Sequence, residues 1–208
     1  MTDVLELETP HGLARAHVFG GPAPVGTLVL GHGAGGSVEA PDLVAVRDLA
    51  VSLGCACVLV EQPYRVARRR SAAPAKQLDA AWESVVSQLP PPLRDVPLIC
   101  GGRSSGARVA CRTAGAVEAV AVLCLAFPLH PPRRNPDAEL KTRLPELDGA
   151  GVPVLVVQGS SDRFGVPASD PAVDRVVVEV RGDHGLKSDK AALVAAVADW
   201  LPRFLSPA

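Results

Sequence analysis

Residues 98–111 read LICGGRSSGARVAC. An apolar run leads into the pattern Gly-x-Ser-x-Gly, and small and apolar residues at helical spacing follow it. Gly102 and Gly106 flank Ser104, whereas no such pair of glycines flanks the next serine, Ser105. In a strand–turn–helix context this pattern lifts the serine hydroxyl above a sheet on a sharp, strained turn. The stretch therefore predicts an α/β sheet with a nucleophilic serine at the end of one strand.

Strand and helix patterns alternate on both sides of this stretch. Two alternating segments around the turn Pro10-His11-Gly12 predict an opening hairpin, at 3–9 and 13–19. Short apolar runs predict buried strands at 26–31, 55–60, 97–100, 120–125, 152–157 and 173–180. Helical spacing is found between them at 43–53, at 74–89, after the serine and at 188–204. This order predicts an α/β fold with a mostly parallel central sheet and helices on both faces.

Length and composition narrow the class of protein. The 208 residues fit a single domain, 1–208, and 48% hydrophobic with 21% charged residues is a globular composition. A net charge of -1 argues against a nucleic-acid partner. No apolar run is long enough to span a membrane, and the acidic, alternating N-terminus is not a secretory signal peptide. We expect a cytoplasmic monomer or homodimer.

The five cysteines allow two interpretations. Cys55-x-Cys57 is a spacing found in metal sites, but no second pair of cysteines or histidines follows at zinc spacing. All the cysteines fall in predicted strands or in a predicted helix, at positions 55, 57, 100, 111 and 124. We therefore predict buried, reduced thiols in a cytoplasmic protein, and no metal site.

A base and an acid that suit Ser104 follow it along the chain. A serine hydroxyl is a weak nucleophile, so it needs a base, and the base needs an orienting acid. Of the five histidines, only His184 lies between the last predicted strand and the last predicted helix, and Asp162 directly follows the strand before. Because all three lie just beyond strand ends in the order Ser…Asp…His, we predict a Ser104–Asp162–His184 triad. Asp183 and Asp137 are the alternative acids.

The negative charge of an acyl-transfer transition state needs hydrogen-bond donors. The N–H of Ser105 is one candidate, because it opens the helix after the serine turn. The second is expected from the loop HGAGG at 32–36, where we favour the N–H of Ala34. This loop could also be interpreted as a phosphate cradle, but it lacks the Lys-Ser/Thr ending of a P-loop. We expect the side chain of His32 to shape the loop rather than act as the base.

Many arginines follow predicted strands at the edge that should carry the serine. They are Arg65, Arg68, Arg69, Arg70, Arg103, Arg133, Arg134 and Arg163. A positive rim there would favour an anionic substrate. The alternative is ordinary solvated arginine, with the field opposed by Asp137, Glu139 and Asp170.

Several segments resemble the α/β-hydrolase superfamily, and in particular its small lidless members near the dienelactone-hydrolase branch. They are HGAGG (32–36), GGRSSGARVA (101–110), LAFPLHPP (125–132), QGSSDRFG (158–165) and GDHGLK (182–187). More narrowly, they are similar to a group that includes testis-expressed hydrolase-like proteins and the hydrolase-like domain of a chromatin acetyltransferase complex scaffold. The resemblance implies an α/β-hydrolase fold without a lid domain, the triad Ser104–Asp162–His184 and no cofactor. Dienelactone hydrolases themselves have a cysteine where this chain has Ser104.

These observations predict a serine hydrolase of the carboxylesterase type. It would cleave a small ester, thioester or related acyl substrate through an acyl-enzyme, and a small-molecule substrate would be its partner. Some members of the narrower group act as interaction modules, so a catalytically weak or silent module is the alternative. A peroxidase or lyase on the same fold is a third, because a fold does not fix its chemistry.

Overall fold

The described residues of the computed structural model, 2–132 and 140–206, form an eight-stranded sheet. The strands are β1 (Thr2–Thr9), β2 (Gly12–Phe19), β3 (Thr27–Gly31), β4 (Ala56–Glu61), β5 (Leu98–Arg103), β6 (Ala121–Leu125), β7 (Val154–Gly159) and β8 (Arg175–Val180). Their order across the sheet is β1-β2-β4-β3-β5-β6-β7-β8. The pairs β1–β2 and β2–β4 are antiparallel, and all the other neighbours are parallel. The predicted mostly parallel α/β sheet is confirmed.

Helices cover both faces of this sheet. They are α1 (Pro41–Ser52), α2 (Pro63–Val66), α3 (Ala75–Ser87), α4 (Pro91–Arg94), α5 (Ser105–Thr113), α6 (Leu144–Asp148) and α7 (Lys190–Trp200). Helix α5 contacts α3 and α6 on one face, whereas α1 contacts α7 on the other. The short helices α2, α4 and α6 lie outside the helices predicted from the sequence, and each has a proline in its first turn. Among the described residues, the helices are too short to cross a membrane.

Two apolar cores lie on opposite faces of the sheet. In β3, Val29 belongs to one core, and Leu28 and Leu30 belong to the other. Trp82 fills the first core and Trp200 packs in the second, so the few aromatic residues are shared between the faces. Because both faces of the inner parallel strands are covered, these strands appear in the sequence as continuous apolar runs. The prediction of a buried strand at 173–180 is wrong in this respect, because β8 is an edge strand whose middle residues are exposed or half-buried.

Strand β5 ends at Arg103, three residues later than the apolar run 97–100 predicted. The added residues include Gly101 and Gly102. A side chain would not fit at Gly101, because its Cβ would lie 2.4 Å from the carbonyl oxygen of Leu123 on β6. A Cβ at Gly106, in the first turn of α5, would lie 2.2 Å from the carbonyl oxygen of Gly31. These close approaches bring β3, β5 and α5 together at the carboxyl edge of the sheet.

Candidate active site

Ser104 lies on a strained turn between β5 and α5. Its backbone has φ 53° and ψ −106°, a conformation that residues with a side chain rarely adopt. The N–H of Ser104 donates to the carbonyl of Leu125 at 2.9 Å, which ties the turn to the end of the neighbouring strand β6. The hydroxyl is therefore presented above the carboxyl edge of the sheet, where the sequence pattern predicted it.

The three residues predicted as a triad lie in one chain of hydrogen bonds. Nε2 of His184 is 3.0 Å from Oγ of Ser104, and Nδ1 of His184 is 2.7 Å from Oδ2 of Asp162. Because a carboxylate only accepts, Nδ1 carries the proton and Nε2 accepts the hydrogen bond of the serine hydroxyl. The alternative acid Asp183 is exposed and accepts the N–H of Gly185 in its own turn. Asp137, the other alternative acid, lies outside the described residues.

The carboxylate of Asp162 is fully buried, and donors from the protein surround it. Its Oδ1 accepts the N–H of Phe164 at 2.9 Å, and its Oδ2 accepts Nε2 of Gln158 at 2.8 Å. The amide of Gln158 also lies within 3.0 Å of the carbonyls of Phe127 and Gly165. Sequence reasoning missed Gln158, although it is the single polar side chain of β7, which reads VLVVQG.

Arg103 holds the segment that carries His184. Its Nη2 donates to the backbone carbonyl of His184 at 2.8 Å, and its Nε donates to Oδ2 of the buried Asp42 at 2.7 Å. Burial raises the pKa of Asp42, and the neighbouring guanidinium opposes this shift. The ring of Phe164 contacts the His184 ring edge-to-face at 4.6 Å. Arg103 is thus an internal support rather than a free charge on the rim.

Ala34 and Ser105, the predicted oxyanion donors, line one cavity together with Ser104. Among the described residues, neither the Ala34 N–H nor the Ser105 N–H has an acceptor. The Ser105 N–H opens helix α5, where the helix dipole favours negative charge. The carbonyl of Ala34 accepts the hydroxyl of Tyr64 at 2.8 Å, which holds the loop at its far side.

His32 fixes the base of the same loop, as the sequence predicted. Its Nδ1 lies 2.8 Å from the carbonyl of Gly33, and its Nε2 accepts the N–H of Gln62 at 3.1 Å. Burial lowers the pKa of His32, which suits a neutral ring with one donor and one acceptor. Both ring nitrogens are thus engaged by backbone groups, those of Gly33 and Gln62.

The cavity beside Ser104 has a volume of about 300 Å³. Ala73, Leu78, Pro128 and Phe164 form apolar parts of its walls. Three arginines also line it: Arg108, Arg112 and Arg143. The described residues contain no group of three or more histidine, cysteine or acidic side chains placed to hold a metal ion. The five cysteines are buried and free, in agreement with their interpretation as buried thiols.

The arginines predicted as a positive rim have separate surroundings. Arg68, Arg69 and Arg70 are exposed, and the guanidinium of Arg163 lies 4.8 Å from the centre of the Phe164 ring. Asp170, predicted to oppose the rim, is 3.7 Å from Arg175. Arg65, also predicted for the rim, is half-buried, whereas Arg133, Arg134, Asp137 and Glu139 lie outside the described residues. The positive rim stays a prediction.

Solved structures with the same fold cover almost the whole chain. The lidless α/β serine hydrolase XC6422 from Xanthomonas campestris is 18% identical with a TM-score of 0.74, covering 100% of this chain and 96% of that one. Est1E from Butyrivibrio proteoclasticus is 15% identical with a TM-score of 0.76, covering 96% and 98%. A dienelactone hydrolase from Anabaena variabilis is 15% identical with a TM-score of 0.72, covering 99% and 98%.

Sequence comparison assigns the family. Functionally curated proteins gave no match to the chain. The family described as "Alpha/beta hydrolase domain" matches residues 24–197, which include the strained serine turn and the residues that contact it. The resemblance drawn from the sequence motifs is confirmed at this level, and the narrower testis-expressed group stays a prediction. The chain belongs to the alpha/beta hydrolase domain family.

Proposed function

We propose that this protein is a serine hydrolase of the carboxylesterase type, which cleaves a small ester, thioester or related acyl substrate. The observation that carries the proposal is the continuous hydrogen-bond chain from Ser104 through His184 to the buried Asp162. A nucleophile, a base and an orienting acid at these distances form the arrangement that acyl transfer needs. The family supports hydrolase chemistry in general, and the neighbouring N–H groups of Ala34 and Ser105 suit an oxyanion.

The proposed reaction has two acyl transfers. Oγ of Ser104 attacks the substrate carbonyl while Nε2 of His184 takes the hydroxyl proton, and Asp162 stabilises the imidazolium. The N–H groups of Ala34 and Ser105 receive the oxyanion. His184 then gives its proton to the departing alcohol or thiol, which leaves an acyl-enzyme on Ser104. Water attacks this ester as His184 removes its proton, and the acid product leaves as Ser104 regains a hydrogen.

A fluorophosphonate probe tests whether Ser104 is activated. Such probes form a covalent bond with serines whose hydroxyl is polarised by a base, so we expect one adduct per chain, on Ser104. Mass spectrometry of the digested protein locates it. Ser87, an exposed serine whose hydroxyl donates to the carbonyl of Ser84, serves as an internal control and should stay unmodified. A folded protein without an adduct would contradict the proposal and favour the silent interaction module.

Gln158 is proposed as a positioning residue for the acid. Replacing it with methionine removes the amide donor to Asp162 at similar volume, so the carboxylate and the histidine lose a support. We expect kcat for an ester to fall by about 10- to 100-fold with little change in KM, since small errors in geometry have effects of this size. The matched control is Gln88→Met, which removes an exposed amide just after the end of α3. An unchanged kcat in the Gln158 variant would show that Asp162 needs no such donor.

Two further proposals concern the whole chain. We propose that residues 1–208 act as one domain, because the described ranges share one sheet and two continuous cores. We also propose a reducing compartment, the cytoplasm, as the place of action, because five free and buried thiols suit it.

A further inference from the structure

Two of the three arginines beside Ser104 are neutralised by carboxylates. Arg108 donates from Nε and Nη2 to both oxygens of Glu146, at 2.7 and 2.5 Å. Arg112 donates to both oxygens of Asp79, at 2.9 and 2.6 Å, and to Glu146 at 3.0 Å. These paired geometries fix the planes of both guanidinium groups and connect α5 with α3 and α6.

Arg143 is the third arginine of this cavity, and its surroundings differ. Among the described residues its guanidinium makes one hydrogen bond, from Nη1 to the carbonyl of Pro128 at 3.0 Å, and no carboxylate pairs with it. A guanidinium has five N–H donors, so most of them have no partner in the described structure. Partial burial and the nearby Arg108 and Arg112 lower the pKa of Arg143, and the nearby Glu146 opposes this shift. An anion beside this group would offset both effects.

The charges around the cavity also indicate what kind of anion fits. Among the described residues, the three guanidinium groups that line the cavity and the two carboxylates that pair with Arg108 and Arg112, Asp79 and Glu146, leave a surplus of one positive charge. A carboxylate carries one negative charge and matches a guanidinium in plane and spacing. A phosphate monoester carries about 1.5 to 2 negative charges, which exceeds the surplus next to Glu146.

We propose that Arg143 binds a free carboxylate of the substrate, which is a monoester or monothioester of a short dicarboxylic acid. This proposal rests on the serine hydrolase function and names its substrate class. The cavity joins the two ends: Ser104 lines it where the scissile carbonyl would lie, and Arg143 lines it as well. Leu78 and Phe164 also line this cavity and would provide apolar contact for a few methylene groups, and a volume of about 300 Å³ suits a short chain.

Hydrolysis of two esters of equal acyl length tests the proposal. Monoethyl glutarate carries the second carboxylate, and ethyl valerate does not; a pH-stat measures both rates at low salt. We expect the wild-type kcat/KM to favour monoethyl glutarate by about 10- to 100-fold, the range for hydrogen bonds to charged groups. Arg143→Met should remove this preference, so that its kcat/KM values for the two esters become similar. Arg143→Lys should recover part of it, because the charge returns without the planar fork.

A matched variant controls for the loss of an arginine. Arg94 also donates one hydrogen bond from Nη1 to a backbone carbonyl, that of Ser87, but it lines a different cavity. Arg94→Met should leave both kcat/KM values unchanged. An equal preference in wild type and Arg143→Met, or no preference in wild type, would overturn the carboxylate site. If ethyl valerate is still cleaved in that case, the proposed hydrolase function stands.

A binding measurement keeps the two proposals separate if neither ester is cleaved. Titration calorimetry with glutarate and the neutral amide valeramide needs no turnover. We expect glutarate to bind the wild type about 10-fold or more tightly than it binds Arg143→Met, and valeramide, which has no carboxylate, to show no such difference. Binding of glutarate that depends on Arg143 would support the carboxylate site even in a protein without hydrolase activity. Equal binding by both proteins would overturn it.

Discussion

Ser104→Ala is expected to lower kcat for ester hydrolysis by about 10⁴- to 10⁶-fold and to abolish fluorophosphonate labelling. The change removes the hydroxyl that lies 3.0 Å from Nε2 of His184, so no acyl-enzyme can form. The remaining rate would come from binding and from the oxyanion donors, which alanine leaves in place. Steady-state kinetics with the best ester of a screen, together with intact-protein mass spectrometry, measure both effects.

The same variant should stay folded, so that its inactivity reflects the loss of the hydroxyl alone. Alanine can hold the φ of 53° with the same strain as serine, and the N–H that donates to Leu125 is kept. We expect a free energy of unfolding within about 1 kcal/mol of wild type. Ser87→Ala, on an exposed part of α3, should retain full activity. Comparable hydrolysis by wild type and Ser104→Ala would mean that another group performs the reaction.

Gly106→Ala is expected to have the largest effect on stability, at about 3 kcal/mol or more. The new Cβ would lie 2.2 Å from the oxygen and 2.5 Å from the carbon of the Gly31 carbonyl. Both atoms belong to the backbone of the central strand β3, so no side chain can move to relieve the contact. Either α5 shifts away from the sheet or the strand bends, and both changes would displace Ser104. Urea unfolding followed by circular dichroism measures the loss.

Gly115→Ala is the matched control for this prediction. Gly115 follows the end of α5, and a Cβ there meets nothing within 4 Å. Its free energy of unfolding should lie within about 0.5 kcal/mol of wild type. Equal unfolding midpoints for Gly106→Ala and Gly115→Ala would show that α5 is not pressed against β3 in solution.

The features that could be predicted from the sequence are those that depend on residues close together in the chain. The strand and helix order followed from local apolar spacing, and Ser104, Asp162 and His184 were found because each lies within a few residues of a strand end. Asp162 could be preferred over Asp183, the sequence neighbour of His184, by position alone, but the contact with His184 is visible only in the structure.

The remainder depends on contacts between distant segments, which leave no local pattern. Arg103 pairs with Asp42, which lies 61 residues earlier in the chain, and no local sequence pattern predicts this contact. Arg143 was not among the predicted rim arginines. It directly precedes helix α6, which the sequence did not predict, and only the folded chain brings it to the cavity. The helices α2, α4 and α6 are too short for apolar spacing to reveal them, although their prolines mark where they begin.

The strained turn at Ser104 also has an evolutionary consequence. A glycine at this position would relax the backbone by about 1 kcal/mol or more, because glycine adopts positive φ freely. A lineage that kept the fold only as a binding surface would gain stability from that single replacement. In an enzyme of the proposed kind, the hydroxyl of Ser104 would therefore be kept at a cost in folding stability.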